Sequence, residues 1–170
     1  MTATQRNILN IMVFQIFWFA CVLGGNAGAA IALALYAFVY TRFIGNPLKQ
    51  WKALGTIALC GLLVDIAMAE FGVIHFADSA REALWLLLLW LGFGTLFFHG
   101  LAWLRKLPLA VIALIGAVAG PLTYWAGANL NDSRITVSPS VFMVCYGIPW
   151  AILLPLFTHI PRLLYASEKV

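Results

Sequence analysis

Ile8–Phe43 reads ILNIMVFQIFWFACVLGGNAGAAIALALYAFVYTRF, and the division of this stretch decides the fold. One bilayer crossing takes about 20 apolar residues. The stretch has 36 residues and no charge before Arg42, so it is too long for one span and too apolar for a loop. Gly24-Gly25-Asn26 interrupts it, and glycine and asparagine accept the backbone angles of a tight turn. The economical reading is a hairpin of two helices, Ile8–Gly24 and Ala27–Phe43.

The rest of the chain repeats the pattern. Gly45-Asn46-Pro47 ends the first pair, and Lys49, Gln50, Trp51 and Lys52 suit a membrane interface, where tryptophan and lysine gather. A third helix is expected over Leu54–Phe71. A polar link follows, with His75, Asp78, Ser79, Arg81 and Glu82. The fourth helix is expected over Ala83–Leu104, stopping at Arg105-Lys106. Pro108 opens a fifth that reaches Ala128, since a proline at the first helical position loses no hydrogen bond. The loop Asn129–Ser138 carries Asp132 and Arg134, and Pro139 opens a sixth helix ending near Pro161-Arg162. The expected fold is all-α: residues 1–170 as one domain, a polytopic membrane bundle of six transmembrane helices.

Composition supports lipid as the solvent. Hydrophobic residues make up 64% of the chain and charged residues 9%, against about 25% charged in soluble domains. The net charge of +4 is spread between apolar runs rather than gathered in a patch, which argues against nucleic-acid binding. Sorted by side, eight basic residues (Arg6, Arg42, Lys49, Lys52, Arg105, Lys106, Arg162 and Lys169) face two (Arg81 and Arg134). The positive-inside rule then places both termini in the cytoplasm. The expected location is a bacterial inner membrane. Arg6, the apolar run after it and Ala27-Gly28-Ala29-Ala30 resemble a cleavable signal; the segment is read here as an uncleaved first helix. Spanning by strands is excluded, because no alternating pattern occurs.

Cys21, Cys60 and Cys145 lie in separate apolar runs without paired spacing, so neither disulfides nor zinc is expected. Small residues at Gly55, Gly61, Gly92, Gly94, Gly100, Gly116, Gly120 and Gly127 allow close helix packing, and Gly116/Gly120 form a GxxxG usable within the chain or between copies.

Function is sought first where an ionisable group sits at membrane depth. Asp65, within LLVDIAMAE, is the foremost candidate. An aspartate near a helix centre costs about 2.5–3.5 kcal/mol to insert. It should therefore face the bundle, protonated or hydrogen-bonded, as a proton relay, a ligand anchor or a bonding hub between helices. Glu70 lies roughly 140° around and about 7.5 Å along the helix, so the two acids do not share a face. His99 is offset from Asp65 by roughly 10 Å along the bundle. Asp65, Glu70 and His99 are the catalytic candidates. Gln15 and Thr95 fall at similar depth to Asp65 and suggest a central polar layer. A second polar cluster is expected toward the outer side: Asn26, Glu70, His75, Asp78, Tyr124, Asn129 and Tyr146. Tyr124 follows Gly120-Pro121, a break or kink at depth. Of the seven tryptophans, Trp18 and Trp90 are deep enough to line a cavity. Ligand-binding candidates are thus Gln15, Asp65, Trp90, Thr95 and Tyr124. No HExxH, Walker loop, GxSxG or CxxCH occurs, and the three histidines fall on different segments, so no metal and no cofactor is expected.

Several blocks in order resemble one family. They are N-x-x-x-F-Q-x-x-W-F over Asn10–Phe19; Asp65 with Phe71-Gly72-Val73 and Phe76; Leu89-Trp90 with Phe93, Thr95, His99 and Trp103-Leu104; Gly116, Gly120-Pro121, Tyr124 and Gly127; and Trp150 with Pro155. Together they resemble the small bacterial inner-membrane family called domain of unknown function 2878. That resemblance brings no activity. It implies a lipid context, because the family's genes accompany fatty-acyl modification enzymes such as cyclopropane-type synthases.

The reading that follows is a lipid-associated protein that binds acyl chains or lipids, or helps to modify them, through a polar layer around Asp65. Membrane lipids are the expected partners, with a homodimer or another membrane protein left open. The alternatives are a small proton-coupled transporter using Asp65, and a structural or assembly subunit. Whether it is an enzyme is not legible. A sealed, fully bonded Asp65 favours the structural readings.

Overall fold

The computed structural model describes residues 1–77 and 84–165. Asp78, Ser79, Arg81, Glu82 and Lys169, named above for the polar link and the charge count, lie outside the described residues. The described chain is all-α apart from two short strands. Its helices are α1 (Ala3–Val39), α2 (Pro47–Glu70), α3 (Leu84–Leu96), α4 (Leu109–Ala128) and α5 (Pro139–Tyr165). The strands are β1 (Ile74–His75) and β2 (Arg134–Ile135). Among the described residues, four helices (α1, α2, α4 and α5) are long and apolar enough to cross a membrane. Their outward faces are hydrocarbon-like: Ile16, Leu35, Leu114 and Ile152 are each about two-thirds exposed, whereas Asn10 and Asp65 are wholly buried. Polar groups inside and apolar groups outside is the arrangement that lipid selects.

The decisive stretch folds as a hairpin. α1 is two helices run together, and Gly25 at φ 54°, ψ −148° breaks the helical course between them. Positive φ with extended ψ is open to glycine alone at little strain. The Asn10 amide lies 3.2 Å from the Tyr36 hydroxyl, although 26 residues of straight helix would separate them by about 39 Å. The two limbs are therefore antiparallel. A side chain on Gly28 would meet the Ala20 carbonyl, so the limbs touch by backbone.

Three expectations change. α2 starts at Pro47, not Leu54, because Asn46 caps it by accepting from Leu48 N (3.0 Å) and Lys49 N (3.3 Å), with Pro47 at the first helical position. The basic-aromatic interface residues thus belong to its first turns. α3 ends at Leu96, short of the expected Leu104, and the chain proceeds through tight turns and a 3-10 segment, Ala102–Lys106. Gly100 N donates to Asn10 Oδ1 (3.1 Å) instead of to its own helix, and Arg105 Nη1 reaches the Phe97 carbonyl (2.8 Å). The freed groups are satisfied by protein, as a break at depth requires. Conversely, α4 passes through Gly120-Pro121 without a break in its helix. Gly116 and Gly120 are used within the chain, where they receive the backbone and indole of Trp150.

The two polar links meet at one end of the bundle. β1 pairs antiparallel with β2, Ile74 opposite Ile135 and His75 opposite Arg134. Thr136 N donates to the Val73 carbonyl (3.2 Å), its hydroxyl to the Gly72 carbonyl, and Ala77 N to Ser133 Oγ (3.1 Å). α2 ends there in a Schellman motif, with Gly72 at φ 65° and Val73 N bonded to the Met68 carbonyl (2.9 Å).

Candidate functional site

The packing of the helices leaves a seam open between α1 and α4. α4 lies tightly on α5 through Gly116, Gly120 and Gly147, and α1 lies on α3 and the turn after it, where Gly92 and Gly100 admit Phe17 and Ile11. Between the first limb of α1 and α4 the approach is looser: a Cβ on Gly127 would meet only Trp18, at 3.7 Å. The result is a groove of about 680 Å³ running along this seam. Phe14 and Trp18 form one side, Ala119 and Gly127 the other, and Trp90 and Trp150 the floor. The floor rings are stacked, with centroids 5.6 Å apart at 22°.

Asp65 holds this floor from behind. Trp90 Nε1 donates to Asp65 Oδ2 (2.7 Å) and the Tyr124 hydroxyl to Oδ1 (2.5 Å). Glycines one turn earlier make room. A side chain on Gly61 would run into the Trp90 indole, and one on Gly120 into that of Trp150. So Gly61 and Asp65 on α2 form a receptacle and an acceptor for one tryptophan, and Gly120 and Tyr124 repeat the spacing on α4. Tyr146 lies against Tyr124, with ring centroids 4.2 Å apart and the planes tilted by 32°. Asp65 is wholly buried and does not line the groove, whereas its partners Trp90 and Tyr124 do.

The candidates from the sequence separate into three places. Gln15, Trp90 and Tyr124 line the groove, as does Trp18. Asp65 joins them through its two donors. Thr95 belongs elsewhere, in a buried network on the far side of α3. Its hydroxyl lies 2.5 Å from the Tyr36 hydroxyl and donates to the Gly92 carbonyl (2.7 Å), while Asn10 Nδ2 donates to both Tyr36 (3.2 Å) and Thr95 (3.3 Å). A single central layer of Gln15, Asp65 and Thr95 is not formed. Glu70 is exposed at the end of α2. His99 lies at the opposite end, its ring 5.9 Å from that of Tyr40. The three catalytic candidates are therefore not assembled. In the outer cluster, Asn26 Oδ1 accepts from Trp85 N (2.9 Å), fastening the hairpin turn to the start of α3.

Asn10, which the sequence marks only as the first residue of the opening family block, and Tyr36 are not among the site candidates read from the sequence. Asn10 could have been found as Gln15 was, as an amide inside an apolar helix; Tyr36 carries no such signal. Among the described residues no three His, Cys, Asp or Glu side chains cluster as a metal would need, and Cys21, Cys60 and Cys145 are free thiols. The arrangement offers an aromatic-floored apolar surface with few polar groups.

Comparison with curated proteins and with solved structures returns no match. Residues 7–156 match the family model described as "Protein of unknown function (DUF2878)", and the chain therefore belongs to that family.

Proposed function

We propose that this is a lipid-binding membrane protein whose α1–α4 groove holds an acyl chain. The observation that carries the reading is the groove itself. Its volume of about 680 Å³ falls within the roughly 300–1,000 Å³ of small-molecule sites. Its walls are apolar and aromatic, and it runs from Leu104 near one end of the bundle to Leu130 near the other. An extended hydrocarbon chain has that shape and that chemistry. Gln15 projects into it and makes no hydrogen bond within the described chain. An amide at that depth gains from an acceptor or donor on the occupant. Asp65 then acts as a positioning residue for Trp90 and Tyr124.

In this reading the chain crosses the membrane six times. The fold-back at Gly25 makes two limbs of α1, and α3 with its 3-10 extension supplies the fourth crossing. The excess of basic residues on one side supports cytoplasmic termini and a bacterial inner membrane. The transporter reading draws less support, because Asp65 lies behind the floor with both oxygens bonded. The same bonding favours, as a second reading, a subunit without chemistry of its own.

Native mass spectrometry of the purified protein tests the lipid reading. Wild type should retain lipid through delipidating washes, and Ala119→Phe and Ala126→Phe, at exposed positions lining the groove, should lose it without loss of thermal stability. Equal retention by all three would refute it. In a deletion strain, an altered acyl profile is expected; an unchanged profile under every stress tried would count against it.

A further inference from the structure

The groove does not end in apolar residues. At the end marked by the Gly25 turn it abuts a second cavity of about 480 Å³, and the two share Val22, Trp85, Leu130 and Asn131 as walls. The character changes at this junction. The second cavity is lined by Asn129, Asn131 and Asp132 together with Gly25 and Ala77, and no lysine or arginine among the described residues lines it. We infer that groove and chamber form one site for a phospholipid, with an acyl chain between α1 and α4 and an ammonium-bearing headgroup beside Asp132. This rests on the groove holding an acyl chain, and adds which headgroup the site accepts.

Two observations set the headgroup. First, Asp132 is exposed, and among the described residues no side chain pairs with its carboxylate. The other side chains are partly engaged: Asn129 Nδ2 donates to the Trp125 carbonyl (2.7 Å) and Asn131 Oδ1 accepts from Ser133 N (2.9 Å). Among the described residues, the one full charge lining the chamber is thus a negative one without a partner. An ethanolamine ammonium supplies three donors and the opposite sign, whereas an anionic glycerol headgroup brings a net charge that Asp132 repels. Second, Trp85 stands at the junction with its indole N–H buried and, among the described residues, without a partner. A buried donor calls for an acceptor, and the ester and phosphate oxygens of a phospholipid lie between its tail and its headgroup, at that junction.

The test is a competition. The full-length protein in detergent is offered equal amounts of palmitoyl-oleoyl phosphatidylethanolamine and phosphatidylglycerol, and bound lipid is read by native mass spectrometry. Wild type should favour phosphatidylethanolamine by about two- to fivefold, the range of an exposed ion pair. Asp132→Asn should bring the ratio near unity while total bound lipid stays the same. Retained lipid with no preference, a preference for phosphatidylglycerol, or a preference that Asp132→Asn leaves intact would overturn the headgroup assignment and leave the groove reading standing. Retention of neither lipid by wild type would overturn both.

Discussion

Two buried polar networks flank α3, and they differ in what lies next to them. Asn10, Tyr36 and Thr95 tie both limbs of the hairpin to α3, and their remaining bonds go to the backbone at Gly92 and Gly100. The three side chains of that network are buried and line neither cavity. Asp65, Trp90 and Tyr124 tie α2, α3 and α4 in a comparable way, but the two donors are also the floor of the groove. Both networks satisfy buried groups that lipid cannot. Only the second shapes a surface that a ligand can reach. A polar residue at membrane depth therefore reports a bonding requirement first; its bearing on function depends on which partner faces a cavity.

Four substitutions would sharpen or break this contrast. Gly61→Val should have the largest effect, because the new side chain meets the Trp90 indole, which is itself held by its bond to Asp65. Overpacking of this kind costs about 3 kcal/mol, so little folded protein is expected on size-exclusion chromatography in detergent. Asn10→Ala should come next. It removes bonds to Tyr36 and Thr95 and orphans the Gly100 amide, a loss of about 2 kcal/mol. Its thermal midpoint should fall while lipid retention per folded molecule is unchanged. Asp65→Ala should cost about 1–2 kcal/mol and also weaken lipid retention, since Trp90 and Tyr124 lose their anchor. If Asn10→Ala and Asp65→Ala prove equal in both readouts, the contrast between closed network and floored groove is wrong. Gln15→Leu should be smallest in stability, within about 0.5 kcal/mol, yet should change which lipids are retained. No change in lipid identity would remove Gln15 from the site.

Much of this was legible in the sequence because the signals are local. Gly24-Gly25-Asn26 marked the fold-back, Pro108 and Pro139 marked the starts of α4 and α5, and Asp65 and Trp90 stood out as polar or amphipathic groups at depth. The failures share a cause, which is long-range compensation. Nothing near Gly100 announces that its amide will bond to Asn10, ninety residues earlier, so α3 reads as longer than it is. Thr95 was grouped with Asp65 by depth, since depth can be counted along a helix. The face that each presents to its neighbours is set by which partners reach it from other helices, Trp90 and Tyr124 for Asp65, Asn10 and Tyr36 for Thr95. The pairing of β1 with β2 likewise joins two links that lie about sixty residues apart, and of the chamber they help to close only Asn129 was marked, within the outer polar cluster.

The central claim is that a lipid chain, not protein, fills the seam between α1 and α4. An antibody-fragment-assisted electron cryomicroscopy map of the protein in lipid nanodiscs tests it most directly. The account predicts continuous tubular density along Trp90 and Trp150, passing between Trp18 and Gly127 toward Asp132. A closed seam with Trp18 packed against α4 along its length, or a helix of another copy or partner in the groove, would contradict it.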